Sequence, residues 1–361
     1  MKRKGFIYKE IVSKEKIKQA FYDVAKGKTK RKSIQSFNNN LDSNVNFIYN
    51  KLVNKKYVFS KGNKKILNEY GKERIITVPK FRDQVVQRLI LNEISPMLYN
   101  SMYKFSCGSI PKRGGLYAKK YLESKIRKKH YKYALKLDVK KFFHNVDTKI
   151  LLNQLERKIK DADLLCLINN LLSKGADENG KGIPIGFYSS QIFSNYYLTS
   201  LDNYIKQDLK IKVYARYVDD MIILGNNKRK LHKIKTKVEK YLNEKLKLEL
   251  NHKWQVYNIK DKGVDFVGYR MFYNKTLLRK RTLKLLKRNQ AKIGKGKINI
   301  YTCRVFMNYV SWLKHIKSRL LIKFNNEIKI AKTYISKYDL KKNKIWNYWN
   351  YLLIFGKAFG I

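Results

Sequence analysis

Acidic residues are scarce in this chain. Against 81 Lys and Arg there are only 27 Asp and Glu, which gives a formal charge of +54 over 361 residues and a pI near 10.1. An excess of this size repels itself unless a polyanion neutralises it, so nucleic acid is the expected partner, ahead of a membrane surface. A packaging protein of the ribosomal or chromatin type is the simpler alternative, but such chains seldom carry 44% hydrophobic and 13% aromatic residues.

Cysteines and long apolar runs are also few. Cys107, Cys166 and Cys303 are scattered and offer neither a disulfide framework nor a metal-binding spacing, which fits a reducing compartment. The N-terminus has no apolar signal core. The apolar tail 345–361 is interrupted by Lys357 and falls short of the roughly 18 to 20 apolar residues that span a bilayer. We therefore expect a soluble cytoplasmic protein that does not enter a membrane.

Hydrophobic periodicity predicts an α+β chain. Helical spacing runs through the first 60 residues and returns after about residue 280, and a further helix is expected from Thr148 with Asp147 as its cap. Between these stretches, alternating apolar residues bounded by turn signals predict short strands and hairpins. The strand-like segments are 65–80, 131–143, 212–217, 221–225 and 262–273.

Three of the few acids stand where acids are structurally awkward. Asp138 ends the apolar strand "ALKLD", and Asp219 and Asp220 occupy the tip of the hairpin "ARYVDDMIIL". Taken singly, such residues are commonly helix caps and solvated turn residues. Taken together at one sheet edge, they would repel one another unless hard cations such as Mg²⁺ bridged them. Two ions about 3.5 to 4 Å apart clamp an in-line phosphoryl displacement, which suggests a polymerase or a nuclease.

These residues resemble known motifs. The stretch "YVDD" at 217–220 resembles the catalytic signature of reverse transcriptases, and "LKLDVKKFF" resembles the first catalytic motif of that family. The resemblance implies that Asp138, Val139, Asp219 and Asp220 form the site of two Mg²⁺ ions, for which Mn²⁺ can substitute, and that Asp138 and Asp219 hold the metals. Asp220 is then the supporting third acid of the catalytic set.

The resemblance also implies contacts with the incoming dNTP. In the family, an aromatic residue five positions after the first catalytic aspartate excludes a 2′-hydroxyl, so Phe143 is the expected sugar gate and Phe142 a core residue. Arginine offers a planar fork and lysine a point charge to the triphosphate, and a later lysine protonates the departing pyrophosphate. The expected nucleotide-binding residues are Arg74, Lys80, Arg82, Phe143, Gly186, Gln191 and Lys253.

Other motifs are similar to segments that hold the RNA template and the RNA/DNA duplex. They include "FSCGSIPKRGG", the tyrosine of "YVDD", the hairpin "GVDFVGYRMF" and the helix "NYVSWLKHIKSRLL". In the hairpin, core packing and primer gripping are equally good interpretations of the aromatic residues. The expected template or primer contacts are Ser106, Arg113, Gly114, Ile185, Ser190, Tyr217, Phe266, Gly268 and Lys314, with His315 and Lys317 beside Lys314.

The segment "GIPIGFYSSQIF" favours one subtype. Most reverse transcriptases have Gln before the second glycine and Ser-Pro at the end, where this chain has Ile185 and Ser190-Gln191. The pattern is similar to diversity-generating retroelement enzymes, which copy a template RNA with errors opposite adenine during mutagenic retrohoming, usually with a small basic accessory protein. Replacing an amide by an apolar side chain removes hydrogen bonds that could hold the templating base.

The resemblance covers about residues 45 to 325 and predicts a right-hand polymerase fold. The expected domains are an N-terminal helical extension (1–60), fingers (61–130), palm (131–275, with part of the fingers) and a helical basic thumb with its tail (276–361). The predicted function is synthesis of cDNA from an RNA template in a bacterial or phage setting. The alternatives are an antiviral-defence or retron-like reverse transcriptase and an inactive RNA-binding protein. Bulky Phe143 disfavours an RNA-templated RNA polymerase, and the Asn-Ala-x-x-His element expected of retron enzymes is not found.

Overall fold

The computed structural model describes residues 3–69, 72–316 and 318–343. The apolar tail from residue 345, Lys317 and Gly71 of the predicted turn lie outside the described residues. Within these ranges no helix is both long and apolar enough to cross a membrane.

Helices and short strands share the chain. The helices are α1 (Ile7–Ile11), α2 (Lys14–Ala25), α3 (Lys32–Asn39), α4 (Leu41–Val53), α5 (Phe81–Ser101), α6 (Gly115–Arg127), α7 (Phe142–Asn145), α8 (Thr148–Glu156), α9 (Ala162–Ser173), α10 (Tyr188–Tyr197), α11 (Thr199–Asn203), α12 (Lys228–Leu246), α13 (Ile259–Lys262), α14 (Lys280–Gly294), α15 (Ile300–Leu313), α16 (Leu320–Lys323) and α17 (Asn325–Asn343). A π-helical turn, Tyr204–Asp208, follows α11. The strands are β1 (Asn63–Glu69), β2 (Lys72–Val78), β3 (Ser106–Cys107), β4 (Tyr133–Leu137), β5 (Val213–Tyr217), β6 (Asp220–Gly225), β7 (Gln255–Asn258), β8 (Val264–Phe266), β9 (Tyr269–Met271) and β10 (Thr276–Leu278). The α+β prediction is confirmed.

The chain divides into two compact units. The first consists of Met1–Pro111, Leu137–Ile211 and Lys233–Trp254. The second consists of Lys112–Lys136, Lys212–His232 and Gln255–Ile361.

The first unit is mainly helical. The predicted apolar stripe of α2 is buried, and Ser13 caps this helix by accepting a hydrogen bond from the backbone N–H of Lys16. The predicted cap of α8 is also confirmed, because the Asp147 side chain accepts hydrogen bonds from the N–H groups of Lys149 and Ile150. Strands β1 and β2 form the predicted antiparallel hairpin, in which Asn63 pairs with Val78.

The second unit contains two sheets and the C-terminal helices. In one sheet four strands lie in the order β5-β6-β4-β7, and in the other β8, β9 and β10 form an antiparallel meander. The predicted hairpins at 212–225 and 262–273 are confirmed. The sequence pattern predicts neither β7 nor β10, which are four and three residues long.

A partly buried ion network joins α6 to β10 within the second unit. Glu123 accepts hydrogen bonds from Thr276 (2.6 Å) and Arg127 (2.8 Å) and lies 2.8 Å from Lys119 Nζ. Burial alone would raise the pKa of Glu123, but the hydrogen bonds from Lys119, Thr276 and Arg127 outweigh burial and lower the pKa to about 2. Glu123 is therefore ionised at neutral pH and stabilises this unit.

Candidate functional site

The β5–β6 hairpin carries the "YVDD" residues on a two-residue turn. Tyr217 pairs with Asp220 across the strands, so Val218 and Asp219 form the turn. Val218 has φ of 57°, a left-handed conformation that costs a β-branched residue about 1 to 3 kcal/mol. The fully buried Arg216 stabilises the turn, because its Nη1 donates to the Val218 carbonyl at 2.7 Å. The backbone around Asp219 is therefore tightly defined.

A lysine accompanies the second aspartate of the hairpin. Lys136 Nζ lies 3.2 Å from Asp220 Oδ2 and also donates to the Asp265 carbonyl at 3.0 Å. Because Lys136 is the penultimate residue of β4 and Asp220 the first of β6, the end of β4 lies beside the start of β6. The sequence predicts that these acids repel one another unless hard cations bridge them, but Asp220 already has a cationic partner in Lys136.

Asp138 directly follows β4 and is held by a neighbouring segment. Asn251 Nδ2 donates to Asp138 Oδ2 at 3.0 Å, and the Asn251 backbone N–H donates to the Asp138 carbonyl at 2.8 Å. Val139 forms a β-bridge with Leu250, and the Lys253 N–H donates to Asn251 Oδ1 at 3.2 Å. The structure thus brings the "LNHK" segment, with the exposed Lys253, to the first catalytic motif.

The two adjacent phenylalanines differ in burial, as the resemblance implied. Phe142 is 2% exposed and packs near Tyr197, with their ring centroids 6.5 Å apart. Phe143 is only partly buried, and its carbonyl accepts a hydrogen bond from the Ile183 N–H at 2.8 Å. The core assignment of Phe142 is confirmed, and the gate role of Phe143 stays a prediction.

The segment that carries Ile185 packs against strand β2. The Ile185 carbonyl accepts a hydrogen bond from the Thr77 N–H at 2.7 Å. Gly186 has φ of +111°, and a Cβ atom there would lie 2.5 Å from the Thr77 carbonyl oxygen. Any other residue at this position would be strained and would displace backbone. Ser190 is buried and Gln191 partly buried on α10.

The expected triphosphate cations have different surroundings. Arg74 on β2 and Lys80 before α5 are exposed. Arg82, by contrast, donates through Nε and Nη2 to Asn44 Oδ1 at 3.1 and 2.8 Å, and its guanidinium lies 4.4 Å from the centroid of the Phe47 ring. The side chain of Arg82 is therefore held against α4, a position that the motif alone did not predict.

The expected template and primer residues are spread over several elements. Gly114 precedes α6, Arg113 is partly buried, and Lys314 is exposed after α15. Phe266 and Ser106 are fully buried, so any contact at these two residues would be through the backbone.

A close packing contact fixes the β8–β9 turn. A Cβ atom on Gly268, whose φ is +85°, would lie 2.1 Å from the Trp312 ring. The Tyr269 ring stacks on the same tryptophan with centroids 5.6 Å apart. The aromatic residues of this hairpin are thus core residues.

The carboxylates of the two catalytic motifs can be compared with the ligands that Mg²⁺ requires. Within the described ranges, no group of three or more His, Cys, Asp or Glu is arranged to hold a metal ion, and all three cysteines are free thiols. Mg²⁺ usually binds through only one or two carboxylates, while waters and substrate phosphates complete its octahedron. Asp138 and Asp219 each carry hard carboxylate oxygens of the kind that this ion binds.

Comparison with known proteins gives the family. The model described as "Reverse transcriptase (RNA-dependent DNA polymerase)" matches residues 60–271, more than half of the chain. The chain belongs to the reverse transcriptase family, which is the family that its catalytic motifs resemble. The fold is that of right-hand polymerases, as predicted.

Individual relatives are more distant. Protein YkfC of Escherichia coli K12 is 24% identical over 243 residues, covering 56% of this chain and 64% of that protein. The retron Ec73 reverse transcriptase of Escherichia coli is 27% identical over 178 residues, covering 45% of this chain and 52% of that protein. Telomerase from Candida albicans, solved with a fragment of telomeric RNA, has a TM-score of 0.50 at 15% identity, covering 79% of this chain and 56% of that chain. The chain thus spans less than two thirds of the length of each relative.

Proposed function

We propose that the protein is an RNA-directed DNA polymerase that makes cDNA from an RNA template by two-metal nucleotidyl transfer. The observation that carries this proposal is the tight β5–β6 turn with Asp219 at its tip, inside the segment that matches the family. A solvated surface turn would not need a strained Val218 held by a buried Arg216. The net charge of +54 suits a chain that grips a polyanion.

The chain's own residues have distinct roles in this reaction. Asp138, Asp219 and the Val139 carbonyl would hold two Mg²⁺ ions, which lower the barrier by neutralising charge on the attacking and leaving oxygens. Asp220, paired with Lys136, supports this set. Asn251 orients the Asp138 carboxylate through its amide.

The substrate contacts follow from the same assignment. Arg74 and Lys80 bind the triphosphate of the dNTP, and Phe143 excludes the 2′-hydroxyl of a ribonucleotide. The backbone N–H of Lys253 donates to the side chain of Asn251, which in turn donates to Asp138. The side chain of Lys253 donates a proton to the departing pyrophosphate. The 3′-oxygen of the primer attacks the α-phosphate, and one nucleotide is added.

We further propose the error-prone, diversity-generating subtype, together with a small basic accessory protein as partner. The support is Ile185, whose carbonyl accepts a hydrogen bond from the Thr77 N–H while its side chain cannot hydrogen-bond a templating base.

The proposal also includes a bacterial cytoplasmic location. It places domain boundaries near residues 60, 130 and 275.

The decisive experiment uses the RNA that co-purifies with the protein. The RNA is supplied with dNTPs and Mg²⁺, and the cDNA is sequenced. We expect errors concentrated at template adenines. Asp219→Ala should abolish incorporation while RNA binding is retained, and full synthesis by this variant would refute the metal assignment.

A defence-related, retron-like reverse transcriptase is the second candidate. Its support is the 27% identity to the retron Ec73 enzyme. A defined or repetitive cDNA with few errors would favour it over diversification. Without any cDNA product, an inactive RNA-binding protein becomes the better interpretation.

A further inference from the structure

A pocket of about 850 Å³ lies in the first unit, where α3, α4, the loop after α4 and the start of α5 meet. Its volume falls in the range of roughly 300 to 1,000 Å³ that holds small ligands. Four cations line it, namely Lys51, Lys56, Lys80 and Arg82, together with serine and asparagine side chains of α3 and α4. The pocket is therefore basic and rich in hydrogen-bonding groups.

The only acid in the lining is already engaged. Asp83 is 4% exposed and accepts hydrogen bonds from the Tyr57 hydroxyl (2.9 Å), the Ser60 N–H (3.1 Å) and the Ser60 hydroxyl (2.5 Å). These three donors satisfy the carboxylate inside the protein. The four lining cations outnumber this single carboxylate, so the lining side chains keep a net positive formal charge.

An arginine and an aromatic ring are in contact in the pocket. Asn44 fixes Arg82 by accepting two of its N–H groups, while the Asn44 amide donates to the carbonyls of Phe37 (3.1 Å) and Asn40 (2.9 Å). The guanidinium lies over the Phe47 ring, which is 42% exposed. Nucleobases stack on such planes, and a guanidinium has five N–H donors, of which Asn44 takes two.

Two lysines at the end of α4 line the same pocket. Helix α4 ends in a turn in which Lys55 adopts φ of 53°, and the Lys56 N–H donates to the Lys51 carbonyl at 2.8 Å. This six-to-one bond is that of a Schellman turn, and it returns the chain toward the last helical residues. Both Lys51 and Lys56 are exposed and line the same cavity.

We propose that this pocket binds one nucleotide, with the base against Phe47 and Arg82 and the phosphate at Lys51 and Lys56. The ligand is either a free nucleotide or one residue of an RNA strand, since both offer a planar base and a phosphate. The site lies outside the metal-binding and sugar-selecting residues, but it shares Lys80 with the proposed triphosphate site. The residues assigned to the base and the phosphate here, Phe47, Lys51 and Lys56, have no role in the proposed polymerase reaction.

Photo-crosslinking of the full chain tests this proposal. The probes are 8-azido-ATP and a short RNA that contains one 4-thiouridine, both used in EDTA so that metal-dependent binding of dNTPs is suppressed. We expect adducts on peptides within residues 33–60, mapped by mass spectrometry. Phe47→Ala should weaken binding about tenfold, as expected for loss of one stacking partner. The double variant Lys51→Ala/Lys56→Ala should lower the salt slope of RNA binding by about 1, because the two lysines share one phosphate.

Lys233→Ala/Lys237→Ala is the matched control, because it removes two exposed lysines from α12 in the same unit. Adducts from both probes support the site for either ligand, adducts from RNA alone identify a strand residue, and adducts from 8-azido-ATP alone identify a free nucleotide. The proposal is overturned if neither probe labels residues 33–60, or if the control pair weakens binding as much as the pocket pair. Thermal melting of each variant shows whether it is folded.

Discussion

Asn251 offers the sharpest test of the site, because its amide donates to Asp138 Oδ2 at 3.0 Å. A hydrogen bond to a charged group contributes about 1.5 to 3 kcal/mol. If Asn251→Ala removes that contribution from the positioned carboxylate, nucleotide addition should slow about 10- to 100-fold. The second contact, from the backbone N–H of Asn251 to the Asp138 carbonyl, does not involve the side chain and should persist. The variant is therefore expected to fold.

The assay is single-nucleotide addition to a primed RNA template over a range of Mg²⁺ concentrations. A misoriented Asp138 should lower kcat and raise the Mg²⁺ concentration at half-maximal rate, whereas a general loss of stability would change the melting temperature instead. Asn179→Ala, an exposed asparagine in the same unit, is the control. Wild-type rate and Mg²⁺ dependence in Asn251→Ala, with Asp138→Ala inactive, would show that the amide does not position the carboxylate.

Three further predictions follow from single residues. Phe143→Ala should admit ribonucleotides, and an unchanged preference for dNTPs in primer extension would remove Phe143 from the gate. Ile185→Gln should lower the error rate at template adenines in sequenced cDNA; an identical error spectrum would contradict its role in mispairing. Hydrogen bonds from Lys119, Thr276 and Arg127 outweigh burial and lower the pKa of Glu123 from 4.5 to about 2. The stabilisation of the fold by ionised Glu123 should therefore be complete above pH 4.5 and be lost between about pH 4.5 and 2. Urea unfolding should show a loss of about 2 kcal/mol in the free energy of unfolding over this pH range, allowing for the exposed Arg127. Glu123→Gln should make the free energy of unfolding less dependent on pH. An equally steep pH profile in that variant would argue against the stabilising role of Glu123.

Local sequence signals predicted much of the fold correctly. The Asp147 cap, the hairpin around "VDD" and the buried stripe of α2 all depend on neighbours within a few residues, although the turn is one residue shorter than predicted because Asp220 already belongs to β6. The burial of Phe142 was also predicted correctly, from the resemblance, which places the gate at Phe143, five positions after Asp138. Interactions between residues only a few positions apart can be predicted from the sequence alone.

Contacts between distant segments were not predictable in this way. Asn251 is 113 residues from Asp138, and nothing in "LNHKW" distinguishes this asparagine from one in an ordinary loop. The pairing of Lys136 with Asp220 depends on β4 lying beside β6, an arrangement that periodicity cannot supply. Arg82 likewise matched a motif, yet its guanidinium is held by Asn44 on a helix that the motif does not include.

The scarcity of acid and the cationic surface have a common origin in these contacts. Asp83, Glu123 and Asp220 are all engaged by donors or cations within their own units. Acids used in this way stabilise turns and helices but leave most of the 81 basic side chains without an internal counter-charge. A bound polyanion would supply that counter-charge along its whole length, which an isolated small ligand cannot do. The composition therefore favours nucleic acid as the partner that supplies most of the counter-charge.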